Sequence, residues 1–298
     1  MKHLLKLEGM PSAAMEEILA SAEVIKAKRG GGEAKPLDGQ TWAMIFTKSS
    51  TRTRVSFEVG IRELGGSVMF LNANDMQLGR GEPIKDTARV LGRMVHGAVI
   101  RTFAQADVEE FAEYSGIPTI NALTDDEHPC QILTDIFTFQ ERRGPIRGKV
   151  VTYVGDGGCN VPVSWVHAAA ALDFELHIAA PAEFQPSAET LAKAGGNISC
   201  TEDIRAAVKG ADMVYTDVWV SMGMEAEAEE RLAKLAGYQI NGALMCLAKP
   251  DALVMHCLPA YRGKEIDAET FEAHADTIFT QAENRLHTQK AILAWLAG

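Results

Sequence analysis

The sequence predicts an α/β protein built from two lobes, each a parallel sheet covered by helices on both faces. Strand-like apolar runs alternate with helix-like segments along almost all of the 298 residues, which is typical of parallel sheets. Hydrophobic residues make up 47% of the chain, enough for a substantial core. Polar motifs follow several apolar runs at their carboxyl ends, where ligands bind in open α/β sheets.

The first half of the chain supplies the first lobe. Met15, Ile18, Leu19 and Ala22 recur at the spacing of one helical face, which predicts a helix over 12–28. Compact apolar runs predict the strands, and the segments between them predict the other helices. The predicted strands are 41–46, 67–71, 97–102 and 118–121, and the other predicted helices are 53–64, 85–94 and 107–114.

A second series of elements begins near Lys149 and predicts a Rossmann-like second lobe. Its first strand runs directly into a glycine-rich turn and then a helix, as in doubly wound sheets. The polar segment 139–148 is the predicted boundary, which gives domains 1–145 and 146–282 and a C-terminal helix, 283–298. The predicted strands are 150–154, 175–179, 213–217 and 252–256, and the predicted helices are 163–172 and 283–296.

Composition limits the classes of partner and the compartment. The net charge of −11 argues against nucleic acid or an anionic membrane as partner, so an anionic substrate would need a local basic pocket. Five widely spaced cysteines without a CxxC pair favour free thiols over disulfides or a zinc site. No apolar run is long enough to span a bilayer, and the N-terminus lacks a signal-peptide core, so we expect a soluble, cytoplasmic protein.

The segment 49–54, Ser-Ser-Thr-Arg-Thr-Arg, lies between a predicted strand and a predicted helix. Backbone N–H groups and the helix dipole favour anions at a helix start, and arginine forks and hydroxyls add donors for phosphate. Ser50, Thr51, Arg52 and Thr53 are therefore candidate phosphate ligands. The alternative is an ordinary capped helix with solvated arginines.

Two further polar positions of the first lobe are candidates for a site. His128 and Gln131 stand three apart around Pro129, which suits the first turn of a helix and lets both side chains reach one carbonyl oxygen. Arg101 ends a buried strand, where a charge needs a site or a salt bridge. A capped helix with an incidental histidine would give the same pattern at His128.

The second lobe has two candidate segments after predicted strands. Cys257 follows His256, but neighbouring side chains of an extended chain point in opposite directions, so a role other than nucleophile is favoured for the sulfur. A structural, inert thiol is the alternative. Asp217 and Ser221 are suited to hold an ammonium group by charge and hydrogen bond, although such residues are ordinary in loops.

Several cofactor motifs are missing from the sequence. The turn 155–158 is not completed as a dinucleotide fingerprint, because Asn160 stands where the third glycine would be, and strand 175–179 is followed by no acidic ribose ligand. The chain has neither a GxxxxGK[ST] loop nor an HExxH pair. We therefore expect no nicotinamide cofactor, no nucleoside triphosphate and no metal.

In their order along the chain, these motifs resemble the aspartate/ornithine carbamoyltransferase family. One such short motif is a weak signal, but five in order over nearly the whole chain are specific. The Ser-Met-Gly element is similar to members that use ornithine and differs from those that use aspartate or putrescine. The five matching motifs are 50–53 (Ser-Thr-Arg-Thr), 128–131 (His-Pro-Cys-Gln), Asp217 with 221–223 (Ser-Met-Gly), 256–259 (His-Cys-Leu-Pro) and 283–285 (Glu-Asn-Arg), and the likeness between them includes 79–87.

The resemblance implies transfer of the carbamoyl group of carbamoyl phosphate to the side-chain amine of L-ornithine, giving L-citrulline and phosphate. It implies a carbamoyl phosphate-binding first domain, an ornithine-binding second domain and a C-terminal helix that returns to the first. The implied carbamoyl phosphate ligands are Ser50, Thr51, Arg52, Thr53, Gln77, Arg101, His128, Gln131, Cys257, Leu258 and Arg285. The implied ornithine ligands are Asn160, Asp217, Ser221 and Met222.

The resemblance also implies an assembly and shows one departure. Gln77 matches a residue that the family lends to the neighbouring subunit's site, which implies a homo-oligomer, a trimer with sites at subunit interfaces. Family members have two adjacent asparagines at the glycine-rich turn, whereas this chain has Cys159 and Asn160. Only Asn160 is carried over, which leaves an altered affinity for ornithine open.

The chemistry of the reaction suggests roles for these residues. Attack by the neutral amine puts negative charge on the carbamoyl oxygen and the departing phosphate, and fixed donors stabilise such charge. Arg52, Arg101 and His128 suit that task, while Asp217 and Cys257 are predicted to position the amine and relay its proton without a covalent intermediate. Carbamoyl phosphate is already an activated anhydride, so neither a metal nor an organic cofactor is expected.

Two alternatives stay open. One is a member of the same family that binds these ligands without turnover, although the nearly complete set of charged site residues argues against it. The other is a transferase for a different acceptor, such as N-acetylornithine, putrescine or aspartate. Arginine biosynthesis and the opposite, catabolic direction are both compatible with the sequence.

Overall fold

The computed structural model of the chain describes residues 1–32, 34–72, 76–77, 81–221 and 223–298. Within these residues the strands form two sheets, and every strand pair in both sheets is parallel. Helices flank the sheets, and this confirms the predicted α/β class. In the same residues, no helix combines the length and the apolar character needed to cross a lipid bilayer.

Most of the predicted elements are present within a few residues of their predicted bounds. The strands are β1 (Thr41–Phe46), β2 (Ser67–Asn72), β3 (Gly97–Arg101), β4 (Thr119–Leu123), β5 (Val150–Val154), β6 (Glu175–Ala179), β7 (Ile198–Thr201), β8 (Met213–Thr216) and β9 (Leu253–His256). The helices are α1 (Ser12–Ala27), α2 (Thr51–Glu63), α3 (Ile84–Leu91), α4 (Gln105–Ser115), α5 (Pro129–Arg143), α6 (Asn160–Leu172), α7 (Ala188–Ala194), α8 (Ile204–Val208), α9 (Ala228–Leu235), α10 (Gly242–Met245), α11 (Ala268–Ala273) and α12 (Ala275–Ala297).

The chain divides into two compact units. The first unit comprises Met1–Phe137 with Asn284–Gly298, and the second comprises Thr138–Glu283. The chain therefore passes between the units inside α5 and again inside α12. The predicted domain bounds, 1–145, 146–282 and 283–298, stay a prediction.

The sheet of the first unit has the strand order β2-β1-β3-β4. The chain starts in the middle, at β1, adds β2 on one side and then continues with β3 and β4 on the other. This makes the carboxyl ends of β1 and β3 a switch point, where open α/β sheets bind ligands. Glycine is required at position 97, because a Cβ there would lie 2.5 Å from the Trp42 ring on the neighbouring strand.

The core of the first unit packs the sheet against α3 and α4. Small residues on the strands, such as Ala43 and Ala98, leave room for the larger side chains of the helices. This packing fixes the position of the carboxyl ends of β1 and β3, which carry the candidate site residues. The buried members of this cluster are Ala43, Ile45, Ala88, Val95, Ala98, Ile100, Val108, Phe111 and Ile117.

The sheet of the second unit has the strand order β7-β6-β5-β8-β9. The order reverses between β5 and β8, which is the Rossmann-like arrangement that the sequence predicts. Its carboxyl edge carries the glycine-rich turn after β5, Asp217 after β8 and Cys257 after β9. Apolar residues of β5, β8 and β9 pack against α8, α10 and α11 behind this edge.

Candidate active site

The helix start of the first unit has the geometry expected of an anion site. Ser50 is the N-cap of α2, with its backbone extended, and its hydroxyl oxygen accepts the Thr53 N–H at 3.2 Å. Thr51 is exposed and Arg52 is half-buried, so both lie at the surface of this helix start. The helix dipole and the first-turn N–H groups favour an anion here.

A buried chain of hydrogen bonds joins three helices beside this helix start. Arg285 on α12 donates from Nη2 to Thr53 Oγ1 at 3.0 Å and from Nη1 to Gln131 Oε1 at 2.6 Å. Gln131 in turn donates from Nε2 to Asp135 Oδ1 at 2.7 Å. Arg285, Thr53 and Gln131 are each 3% exposed or less, so these bonds fix the side chains in a low-dielectric environment.

His128 and Arg101 lie close to Arg285 in the same unit. Burial, followed by the charges of Arg285 and Arg101, lowers the pKa of His128 well below its ordinary value. Arg101 ends β3, and its carbonyl oxygen accepts the Thr47 N–H at 2.9 Å. The structure therefore brings Arg101 and His128 together with Arg285, which the sequence analysis assigned to the same ligand.

The sequence analysis missed Lys48, a charged residue at the carboxyl edge of the first unit's sheet. Lys48 is 5% exposed, forms an ion pair with Asp125 and lies over the Phe103 ring, with 4.2 Å to the centroid. Lys48 directly precedes the Ser-Ser-Thr-Arg motif, so a buried cation lies beside the start of α2. Its position between a predicted strand and that motif could have identified it from the sequence.

Glu127, which precedes His128, was also missed. It is 3% exposed, and its carboxylate accepts the backbone N–H of Leu7 at 2.6 Å and of Glu8 at 3.2 Å. Burial raises the pKa of Glu127 to about 7. Glu127 thus ties the N-terminal segment to the loop that carries His128. Sequence spacing gives no signal for a contact over this separation.

Gln77 stands apart from this group. Its side chain is exposed, and its carbonyl oxygen accepts the Glu82 N–H at 3.1 Å. It takes part in none of the hydrogen bonds that join Thr53, Gln131 and Arg285. Its assignment to a neighbouring subunit's site stays a prediction. Residues 79 and 80 of the matching segment 79–87 lie outside the described residues.

In the second unit, adjacent strands bring Asp217 and Cys257 together. β8 and β9 are paired in parallel, so the residues that follow them meet at the same edge of the sheet. The Cys257 thiol donates to Asp217 Oδ1 at 2.8 Å, and that oxygen also accepts the Val218 N–H at 2.7 Å. The pairing of these two residues, which the sequence analysis assigned to the amine, is therefore direct.

His256 and Glu265 form a fully buried pair behind Cys257. The Nδ1 atom of His256 accepts the Leu258 N–H at 2.9 Å, so the ring proton is on Nε2, which donates to Glu265 Oε1 at 3.1 Å. Leu258 has a φ of 60°, a rare conformation for this residue type, and this hydrogen bond supports it. His256 shapes the turn that presents Cys257, and its own ring points to Glu265, as the strand alternation predicts.

The glycine-rich turn after β5 supplies Cys159 and Asn160. Asn160 is the first residue of α6, and Cys159 is its N-cap residue. Cys159 is buried, its thiol donates to the Asp156 carbonyl at 3.2 Å, and Tyr153 Oη lies 3.9 Å from the sulfur. Burial and the nearby Asp156 and Asp217 raise the pKa of Cys159 well above its ordinary value, so it is a neutral thiol at neutral pH.

The remaining predicted acceptor residues lie in the segment after β8. Ser221 is half-buried, and its carbonyl oxygen accepts the Met224 N–H at 3.0 Å. Met222 lies outside the described residues, so its role stays a prediction. Cys257 and Leu258, which the sequence analysis placed among the carbamoyl phosphate ligands, belong to the second unit.

One group of side chains has the composition of a metal site. Among the described residues, Asp217, His256 and Cys257 bring one ligand-type atom each within 4.8 Å of one another. However, both ring nitrogens of His256 are already used, by Leu258 N–H and by Glu265. A metal bound by His256 would therefore break one of these two buried hydrogen bonds.

Two family models cover nearly the whole chain. Residues 2–141 match the carbamoyl-P binding domain of aspartate/ornithine carbamoyltransferase, and residues 147–296 match the Asp/Orn binding domain of the same family. The two matches fall largely on the first and the second unit, respectively.

Similar proteins and structures agree with this match. Ornithine carbamoyltransferase of Akkermansia muciniphila is 54% identical over 100% of this chain and 98% of the relative, and that of Methylococcus capsulatus is 51% identical over 99% and 98%. The structure of anabolic ornithine carbamoyltransferase from Campylobacter jejuni has a TM-score of 0.94 at 43% identity, with 99% of both chains covered. That of ornithine carbamoyltransferase from Pyrococcus furiosus has a TM-score of 0.92 at 44% identity, covering 100% of this chain and 97% of that one. This chain belongs to the aspartate/ornithine carbamoyltransferase family.

Proposed function

We propose that this protein transfers the carbamoyl group of carbamoyl phosphate to the side-chain amine of L-ornithine, forming L-citrulline and phosphate. The observation that carries the proposal is the full-length likeness to ornithine carbamoyltransferases, at 54% identity over 100% of the chain for one relative. The site residues of both units are compatible with this chemistry.

Carbamoyl phosphate is proposed to bind in the first unit. The α2 start, with Ser50, Thr51, Arg52 and Thr53, would hold the phosphate through N–H groups, hydroxyls and a guanidinium. Arg101 and His128 would donate to the carbamoyl and bridging oxygens. Their rigid placement by buried neighbours supports this role, because fixed donors stabilise developing charge without reorganisation.

Arg285 and Gln131 are proposed to complete the donor pocket. They are buried and hydrogen-bonded to each other and, through Arg285, to Thr53. A substrate oxygen placed between these groups would meet N–H donors already held in position. Gln77 is proposed to act at the neighbouring subunit's site of a homotrimer.

Ornithine is proposed to bind in the second unit through Asn160, Asp217, Ser221 and Met222. A free alkylammonium titrates near pH ~10, so the reacting amine must lose a proton before it attacks. Asp217 and Cys257, joined by a hydrogen bond of 2.8 Å, would position the amine and take up that proton. The amine then attacks the carbamoyl carbon directly and phosphate leaves, so no covalent enzyme intermediate is needed.

The place of this activity in the cell follows from chemistry. Citrulline is a ureido compound one nitrogen short of a guanidino amino acid, which supports a role in arginine biosynthesis. None of the five cysteines forms a disulfide, which is typical of the reducing cytoplasm. We therefore place the enzyme in the cytoplasm.

A panel of acceptors tests the proposed substrate. Purified protein with carbamoyl phosphate is offered L-ornithine, N-acetylornithine, putrescine and L-aspartate in parallel, and the ureido product is measured. We expect L-ornithine to give the highest kcat/KM. A higher kcat/KM for another acceptor would contradict the proposed specificity, and binding of both ligands without product would indicate a non-catalytic family member.

A further inference from the structure

Arg231 on α9 is a buried arginine outside the residues assigned to either substrate. It is 8% exposed, and a guanidinium at that depth needs acceptors, because removing a charge from water is costly. Its Nε donates to the Trp219 carbonyl oxygen at 3.1 Å, and its Nη2 pairs with the Asp156 carboxylate. The two acceptors come from segments that are distant in sequence.

The two residues that accept hydrogen bonds from Arg231, Asp156 and Trp219, each lie beside residues proposed to bind ornithine. Asp156 belongs to the glycine-rich turn that leads to Asn160, and its second oxygen accepts the Gly158 N–H at 3.0 Å. Trp219 lies between Asp217 and Ser221 in the segment after β8. Arg231 is therefore hydrogen-bonded to both segments that supply the proposed ornithine-binding residues.

Other contacts hold Arg231 in this position. Its guanidinium lies over the Phe184 ring, with 4.9 Å to the centroid, and Nη1 donates to Glu227 Oε2 at 3.4 Å. Trp219 itself is 5% exposed, and its Nε1 lies 3.5 Å from the position of a Cβ on Gly155. The two segments thus pack against each other where Arg231 joins them.

We propose that Arg231 is a positioning residue for the acceptor amino acid: it holds the glycine-rich turn and segment 217–221 in the relative position at which Asn160, Asp217 and Ser221 meet one ligand. This inference rests on the proposed function, in which those residues bind ornithine. The edge formed by Nε and Nη2 offers two parallel N–H groups. A lysine ammonium supplies the charge without that fork.

Arg231→Lys tests the bridge through steady-state kinetics. We expect KM for ornithine to rise about tenfold or more, as for loss of a hydrogen bond to a charged group. KM for carbamoyl phosphate should stay unchanged and kcat should be largely retained at saturating ornithine. The matched control is Arg147→Lys, which alters an exposed ion pair of the same unit (Arg147 to Asp173, 3.0 Å) and should change neither KM.

Hydrogen exchange of the ligand-free protein tests the same bridge without activity. In Arg231→Lys, amides of 155–160 and 217–221 should exchange faster, while those of the sheet should not. Should this variant fail to fold, Asp156→Asn, which removes the charge facing Arg231 and keeps an acceptor for Gly158, takes its place in both measurements with the same expected directions.

Three results would overturn the positioning role: an unchanged KM for ornithine in a folded variant, an equal rise of both KM values, or faster exchange spread over the whole second unit. The exchange result does not depend on turnover. Absence of citrulline formation by the unaltered protein would therefore count against the proposed function alone.

Discussion

At the scale of single residues, burial sets the charge of His128. The ring is 5% exposed, and burial and two arginines lower its pKa well below 6.5. At neutral pH the imidazole is therefore neutral, with one N–H to donate and one nitrogen to accept. A neutral donor beside Arg101 and Arg285 can stabilise the carbamoyl oxygen without adding a third positive charge to the group.

His128→Asn should lower kcat about 100–1,000-fold, the usual effect of removing one donor to a developing oxyanion. The same variant identifies the NMR signals of the His128 ring, because they are absent from its spectrum. In the unaltered protein the chemical shifts of these signals should stay constant between about pH 6 and pH 8, because a group with a lowered pKa does not titrate there. Titration of those signals near 6.5, or a variant with nearly full kcat, would contradict the assignment.

Glu127 should make the first unit less stable as pH rises. Its pKa is raised from 4.5 to about 7 in the folded chain, so the folded state binds the proton more tightly than the unfolded state. The resulting stabilisation, about 3 kcal/mol, is fully present below 4.5 and is lost as pH rises through about 7.

Glu127→Gln should remove this dependence, because the amide does not titrate. The difference in Tm, unaltered protein minus variant, should fall between about pH 5 and pH 8. Asp126→Asn, a change at the exposed neighbour, is the control and should show no such trend. A Tm difference that is constant or rises with pH would show that Glu127 is not protonated by burial.

Single residues were predictable from sequence where the signal was local. Ser50 was found because a helix cap has a recognisable pattern, and Cys257 because it follows an apolar strand. Glu127 was not found, since its partners Leu7 and Glu8 lie more than 100 positions away in the chain. Glu265 was not found either, since its pairing with His256 depends on the turn after β9 and not on a recognisable spacing. Lys48 had a local signal, a cation between a strand and the hydroxyl motif, that was not used.

At the scale of elements, the start of α2 is proposed to couple stability to substrate binding. Ser50→Ala removes the bond to the Thr53 N–H, and loss of such a cap costs about 1 kcal/mol. We expect a lower Tm together with a higher KM for carbamoyl phosphate, because the same hydroxyl is proposed to contact the phosphate.

The matched control is Ser187→Ala, which removes an equivalent cap from α7 in the second unit, where the Thr190 N–H is bonded at 3.0 Å. It should lower stability comparably and leave that KM unchanged. Equal effects of the two variants on KM would remove the argument that the α2 cap takes part in binding.

Elements were predictable where apolar runs were compact. β1 and β6 were predicted with the observed bounds, whereas β7 and the short helices α8 and α10 were missed, because five or fewer residues show no clear period. The segment predicted as a boundary, 139–148, is helical as far as Arg143. Its polar residues suggested a boundary, and Arg142 and Arg143 among them suit the negative end of a helix dipole.

At the scale of the whole molecule, each sheet reverses its strand order at the point where candidate residues gather. The reversal between β1 and β3 brings Ser50 and Arg101 to the ends of neighbouring strands, and that between β5 and β8 does the same for Asn160 and Asp217. This followed from the predicted strand ends. The contact between Arg285 and Thr53, 232 positions apart, did not follow from any local pattern and was expected only from the family resemblance.

The most direct test of the central claim is citrulline formation from carbamoyl phosphate and L-ornithine by the purified protein, compared with Arg52→Ala and with Arg62→Ala, a change at an exposed arginine of the same helix. We expect citrulline from the unaltered protein and from Arg62→Ala, and a large loss in Arg52→Ala. No citrulline from the unaltered protein, or equal rates in all three proteins, would contradict it.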